Sequence, residues 1–151
     1  MSVKLEDINR EIVRMYRTAL EASGIEGADV VAEDVRSPIT RPCGKVELDE
    51  NSAGALMLGG AEKTATFRLY YFATSAERPK LENLMVREAI AQAFLDGIML
   101  EDIHLPISEG VAFTVTDGVL VATLDLLWQE HREESGEMME YLYYNDREVA
   151  E

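Results

Sequence analysis

The N-terminal part of the chain repeats apolar side chains at helical spacing. Between Leu5 and Ala22 apolar residues recur every three or four positions, while charged residues occupy the opposite side of the helical projection. Ser23-Gly24 follows, and a glycine directly after such a stretch is a common helix end. The pattern therefore predicts an amphipathic helix from Leu5 to Ala22 with one face on the core.

A second stretch, from Leu81 to Leu95, has the same periodicity. Pro79 lies where a helix can begin, because the first turn needs no amide hydrogen there, and Asp96-Gly97 suits a left-handed cap. The spacing predicts a helix whose apolar stripe consists of Leu81, Leu84, Met85, Glu88, Ala91, Phe94 and Leu95.

Alternation at a period of two predicts strands elsewhere. The clearest is Thr64 to Ala73, which has on one face Ala65, Phe67, Leu69 and Tyr71. Shorter strands are predicted at Asp29 to Val35 and Lys45 to Asp49. The intervening stretch from Glu50 to Glu62 is rich in glycine and small residues, and it predicts a flexible loop with an apolar tip formed by Leu56, Met57 and Leu58.

Asp117-Gly118 separates two apolar runs and predicts a tight hairpin, because this pair accepts the positive φ angles of a two-residue turn. The turn places on one face the pairs Val115 with Leu120, Phe113 with Ala122 and Val111 with Leu124, extended by Leu126 and Trp128. If that face is buried, Phe113→Ala is expected to cost about 3–5 kcal/mol.

The C-terminal part predicts a last strand, Met138 to Tyr144, returning against Val119 to Trp128, and a frayed tail at 146–151. Taken together, the elements predict one α+β domain spanning residues 1–151, with a mostly antiparallel sheet and two helices packed on it. At 151 residues such a domain can bury a core without disulfides or metals.

The negative charge of the chain is concentrated in its second part. Residues 88–151 contain 15 acidic and two basic residues, whereas residues 1–87 contain 14 acidic and 12 basic ones. Such an excess repels phosphates, so sequence-specific nucleic acid binding is not expected. A solubilising surface and a partner-selecting surface remain equally open interpretations of this charge.

The sequence also indicates where the protein is made. Cys43 is the single cysteine and cannot form an internal disulfide, and residues 1–7 contain no apolar stretch of the kind a secretion signal needs. No run reaches the roughly 20 apolar residues of a membrane span. We therefore expect a soluble protein in a reducing cytoplasm.

The chemically reactive residues form no recognisable catalytic or metal-binding motif. Cys43 with His104 or His131 is the available thiol and imidazole combination, but no nucleophile motif surrounds them. Glu101, Asp102 and His104 are near one another beside Pro106, which favours a loop over a metal-binding helix. Gly59-Gly60 lacks the lysine of a phosphate-binding loop. No catalytic, cofactor or metal site is predicted.

The aromatic residues have two possible roles. Strand positions are occupied by Tyr70, Tyr71, Tyr141, Tyr143 and Tyr144. Tyrosines on a strand can stack nucleic acid bases, but the last three have few basic neighbours. Packing within the sheet is the favoured interpretation.

Several runs follow one another in a distinctive order. They are Arg41-Pro42, Lys45 to Leu48, the strand Phe67 to Phe72, the helix Leu81 to Leu95, the hairpin Thr116 to Leu120 and a late Met139-Glu140. This order and these residues resemble the tail terminator, or tail completion, family of long-tailed bacteriophages. The family pattern favours an aromatic residue after Arg41-Pro42, where this chain has Cys43.

The resemblance implies a structural role without catalysis or cofactor. In that family, subunits form a ring, usually a hexamer, that caps the tail tube, stops its polymerisation and offers a surface to the head connector. The implied partners are copies of the chain, the tail tube protein and the head connector protein, in the virion tail after assembly in the host cytoplasm. A head-tail connector or neck protein is the alternative within this class, and a small cytoplasmic enzyme or ligand-binding module is the alternative outside it.

Two sets of residues are candidate contacts in such an assembly. The apolar tip at Leu56, Met57 and Leu58 is predicted to order against a neighbouring subunit or the tube. The acidic residues Glu133, Glu134 and Glu137 are predicted to face the channel or the tube.

Overall fold

The structure is a computed structural model, and it describes residues 3–31 and 40–131. In chain order the elements are α1 (Leu5–Ala22), β1 (Asp29–Val30), β2 (Cys43–Ala55), a 3₁₀ turn (Met57–Gly59), β3 (Gly60–Phe72), α2 (Lys80–Ala93), β4 (Ile98–Met99), β5 (His104–Leu105), β6 (Ala112–Thr116) and β7 (Val119–His131). The predicted α+β class is confirmed.

One five-stranded sheet forms the centre of the described part of the chain. Its strand order is β1-β2-β3-β7-β6, in which β1 and β2 run parallel and all other neighbours antiparallel. The small strands β4 and β5 pair with each other. Within the described residues β7 has β3 and β6 as its neighbours, and the predicted last strand, Met138 to Tyr144, lies outside the described residues, as does the tail at 146–151.

One face of the sheet carries the core. The alternation predicted for Thr64 to Ala73 is confirmed, because Ala65, Phe67, Leu69 and Tyr71 are all buried. On β7 the buried positions are Leu120, Ala122, Leu124, Leu126 and Trp128. The helices supply the opposite side of this core.

The first helix has the predicted bounds and ends at Ala22, with Ser23 as its cap and Gly24 in the left-handed region. Its buried face includes Tyr16, whose hydroxyl donates a 2.8 Å hydrogen bond to the carbonyl oxygen of Tyr70. A Cβ at Gly44 would lie 2.7 Å from the Tyr16 ring. Glycine at this point of β2 therefore allows the helix to lie close against the sheet.

The second helix buries a different face from the predicted one. Asn83, Val86 and Ile90 are its buried residues, with Phe94 directly after it. Much of the predicted stripe is exposed, namely Leu81, Leu84, Met85, Glu88 and Leu95. The prediction was wrong because Asn83 made the true core face look polar, while a second row of apolar residues looked like the core face.

The predicted loop at 50–62 is also corrected. Residues Glu50 to Ala55 belong to β2, and β3 begins at Gly60, so most of the stretch forms one long antiparallel hairpin. The Ser52 and Thr64 hydroxyl oxygens lie 2.6 Å apart across it. The low strand propensity of this glycine-rich segment is overridden by pairing with β3, which itself pairs with β7.

The late hairpin is confirmed in turn and register. Asp117 and Gly118 both have positive φ, and Val115 pairs with Leu120 and Phe113 with Ala122. Burial of its first strand is lower than predicted, since Val115 is 54% exposed and Phe113 half-buried. The core ends beneath β6, the last strand of the described sheet.

Candidate interaction surfaces

The turn between β2 and β3 carries the most exposed apolar side chains of the described residues. Met57 is 90% exposed and Leu58 is 77% exposed. The turn is held by a 2.8 Å hydrogen bond from the Leu56 amide to the Gly60 carbonyl. Leu58 has φ 62° and ψ 34°, a left-handed conformation that costs a side-chain-bearing residue about 1–2 kcal/mol. This backbone directs two apolar side chains outward; we call Leu56, Met57 and Leu58 the hairpin tip.

A second apolar surface lies at the opposite end of the sheet. Here α2 and the β6–β7 hairpin enclose a groove of about 290 Å³. It is lined by Pro79, Lys80, Asn83, Leu84, Arg87, Val115 and Leu120, which we call the α2 groove. Leu84 and Val115 are each about half exposed, at 50% and 54%. The groove is therefore open to solvent and mostly apolar.

Asn83 is a buried polar residue in the wall of this groove. Only 4% of it is exposed, and its side-chain Nδ2 donates a 3.0 Å hydrogen bond to the Gly118 carbonyl. This bond fixes the hairpin turn against α2. The Oδ1 atom of the same amide has no hydrogen-bond partner among the described residues. Leaving a buried acceptor unpaired costs about 1–3 kcal/mol, so this amide is a costly feature of the packing between α2 and the hairpin turn.

The charges around the groove differ from those of the chain as a whole. Lys80 and Arg87 are the charged side chains among its lining residues, in a chain with a net charge of −15. Arg87 also lies over the Phe113 ring, 4.9 Å from its centroid. The groove rim is thus locally cationic, which favours an occupant bearing a carboxylate.

The predicted acidic contacts Glu133, Glu134 and Glu137 lie outside the described residues. Of the other acidic residues of the second part, Glu101, Asp102 and Glu109 are all exposed. The described residues contain no cluster of three potential metal ligands, so Glu101, Asp102 and His104 do not form one.

Cys43 and His104 are held in separate parts of the structure. Cys43 lies buried on β2, where burial raises the pKa of its thiol, partly opposed by the nearby charge of Arg41. His104 belongs to the small β4–β5 sheet, and its ring contacts the Asp96 carbonyl oxygen. A raised pKa keeps the thiol protonated, which is unfavourable for a nucleophile.

Of the two described strand tyrosines, Tyr70 is half-buried and Tyr71 belongs to the core. Tyr71 is fully buried, and its hydroxyl donates a 2.7 Å hydrogen bond to Glu82 Oε2. Burial raises the pKa of Tyr71, and the Glu82 carboxylate raises it further. The same Glu82 oxygen accepts the Thr74 amide at 2.7 Å. Tyr71 therefore joins β3 to α2 and is unavailable for stacking on bases.

Comparison with known proteins identifies the family of this chain. Residues 7–138 match the sequence profile of a family described as phage tail terminator protein. The match covers most of the 151 residues. The chain belongs to the phage tail terminator family. A search of curated proteins finds no match.

Membership confirms the resemblance inferred from the sequence and makes the protein a phage tail component. The family is structural, and membership implies that this tail terminator contacts other phage tail or head proteins. No helix among its described residues has the length and apolarity to cross a membrane.

Of the two apolar surfaces described here on residues 3–31 and 40–131 of this tail terminator, the sequence pattern predicted one. The hairpin tip was predicted from its apolar residues between glycines. The α2 groove was missed because its lining comes from two elements far apart in sequence. The sequence of α2 does contain a sign of this groove. Its apolar residues cover more of the helix circumference than one core face requires, so some of them are available for a second surface.

Proposed function

We propose that this protein caps the end of the phage tail tube as a ring of identical copies. The ring, a hexamer when assembled, ends tube polymerisation on one face and offers the head connector protein a joining surface on the other. The observation that carries this proposal is the family match over residues 7–138. The exposed apolar surfaces support it, because single subunits gain by covering them.

The proposed mechanism depends on the shapes of the surfaces through which the subunits contact one another. A ring of subunits closes when each copy contacts the next through two different surfaces and the rotation between them completes a circle. The hairpin tip and the α2 groove are two such different surfaces on one chain. Polymerisation stops because one face of the ring matches the tube end while the other cannot accept another tube ring.

The acidic second part of the chain suits a channel through which DNA passes. Phosphates are repelled by carboxylates, and at physiological salt this repulsion acts over roughly 8 Å. We propose that Glu133, Glu134 and Glu137 line the channel or face the tube. Changing all three to lysine is expected to impair tail assembly or DNA delivery, and intact function of both would reject this part of the proposal.

The test of capping is the length of tubes assembled with and without this protein. The tube protein encoded by the same genome is polymerised alone and with increasing amounts of the chain, and lengths are measured by electron microscopy. We expect the mean length to fall as the protein is added, with extra density at one end. Unchanged lengths, with no end-bound protein, would refute capping.

The proposal places the protein in the host cytoplasm during assembly and in the virion tail afterwards. Its partners are copies of itself, the tail tube protein and the head connector protein. No catalytic step is included, since assembly of matching surfaces accounts for the role.

A further inference from the structure

The hairpin tip and the α2 groove lie at opposite ends of the same strands. Gly60, next to the tip, pairs with His131, whereas Tyr71, at the far end of β3, pairs with Leu120 in the groove. Eleven steps along an extended strand separate these pairs, about 35 Å. The tip of a chain therefore cannot reach the groove of that same chain.

We propose that the hairpin tip of one copy inserts into the α2 groove of a second copy. This inference deepens the proposed ring and rests on it, by naming the two surfaces that meet between neighbouring subunits. The occupant of the groove is thus a second copy of this chain.

The size of the groove fits this occupant. Its volume of about 290 Å³ is just below the range for small-molecule sites, roughly 300–1,000 Å³. One or two aliphatic side chains suit such a space better than a larger ligand. Met57 and Leu58 provide two side chains that are mostly exposed in the single subunit.

Polar groups of the two surfaces are also complementary. Glu62 lies on β3 near the tip, and Lys80 and Arg87 line the groove. One occupant therefore supplies apolar side chains and a carboxylate.

The contact joins two unlike surfaces, so it leaves one tip and one groove free in every pair. Such head-to-tail contacts continue until the rotation closes a ring. A contact between two like surfaces would stop at a dimer. The geometry thus accounts for ring growth from a single kind of interface.

Cysteine pairing tests the contact directly in the full chain. Met57→Cys and Val115→Cys are made separately in a Cys43→Ala background, mixed and mildly oxidised. We expect a disulfide between positions 57 and 115, identified by mass spectrometry of the linked peptides. The matched control replaces Val115→Cys by Leu95→Cys, an exposed position, 71% accessible, just after the same helix and outside the groove lining. Linkage no greater than in the control pair would overturn the proposal.

Complementation between two defective variants gives a second readout. Met57→Asp with Leu58→Asp damages the tip, and Leu84→Asp with Val115→Asp damages the groove. Each variant alone should fail to associate in sedimentation experiments, whereas their mixture should form one-to-one dimers through the surviving tip and groove. Association of either variant like that of the unmodified chain would contradict the inference.

These outcomes separate the inference from the proposed function. Shortened tubes together with absent linkage between positions 57 and 115 would reject the tip-to-groove contact and leave capping in place. Linkage together with unshortened tubes would reject capping and leave the contact in place. Circular dichroism spectra of the variants, matching the unmodified chain, ensure that folding is equal.

Discussion

The carboxylate of Glu130 allows a quantitative test of the packing near the N-terminus. Its side chain is 6% exposed, and one oxygen lies 2.8 Å from Lys63 Nζ. The other oxygen accepts the Val3 amide at 2.7 Å and the Trp128 ring N–H at 2.9 Å. These contacts tie the start of α1, β3 and β7 together at one point.

The energetic contribution follows from the pKa. Burial acts to raise the pKa of Glu130, but hydrogen bonds from Lys63, Trp128 and Val3 outweigh burial and lower it from 4.5 to about 2. A depression of this size corresponds to about 3 kcal/mol of folding free energy at neutral pH. Because the folded pKa is the lower one, this stability is present above pH 4.5 and is lost as pH falls towards 2.

Glu130→Gln isolates the contribution of the Glu130 carboxylate to the free energy of folding. We expect it to lower the free energy of unfolding at pH 7 by about 2–3 kcal/mol in urea titrations, since the amide accepts hydrogen bonds but leaves Lys63 without its anion. The difference from the unmodified chain should shrink below pH 4.5.

The matched control is Glu47→Gln, which breaks an exposed ion pair with Lys45 on the same sheet. Exposed pairs contribute at most about 1 kcal/mol, so this variant should stay close to the unmodified chain. A Glu130→Gln effect no larger than the control, or one that does not change between pH 7 and pH 3, would show that the Glu130 carboxylate does not contribute this stability.

Four further substitutions test the core. Phe67→Ala removes a fully buried ring and should cost about 3–5 kcal/mol, whereas Phe113→Ala should cost about 2 kcal/mol because that ring is half-buried, and equal losses in thermal unfolding would contradict the burial difference. Tyr16→Phe should cost about 1 kcal/mol through the lost hydrogen bond to Tyr70, as measured by urea unfolding. Gly44→Ala should cost more than Tyr16→Phe, because its Cβ would clash with the Tyr16 ring, and a neutral result in the same assay would argue against that close packing.

Elements governed by local chemistry were predictable from the sequence. The bounds of α1 follow from its apolar spacing and from Gly24, which has the positive φ that ends the helix. The late hairpin follows from Asp117-Gly118, whose φ angles are the ones its turn requires. In both cases a few neighbouring residues determine the backbone.

Elements governed by distant contacts were not predictable. The segment Glu50 to Ala55 is a strand because β3 pairs with it along its whole length, which composition alone does not reveal. The core face of α2 contains Asn83, whose burial depends on the carbonyl of Gly118, 35 positions later. The α2 groove could not be predicted because its lining residues come from α2 and from the distant β6–β7 hairpin. The hairpin tip could be predicted because it consists of three consecutive residues.

The position of the protein in assembled tails is the decisive measurement for capping. Tails are isolated from cells that express the surrounding tail genes, and the chain is located by electron microscopy with an antibody or by direct imaging. We expect one ring of this protein at the head-proximal end of each tail. Its presence along the length of the tube, or its absence from completed tails, would show that it does not cap the tube.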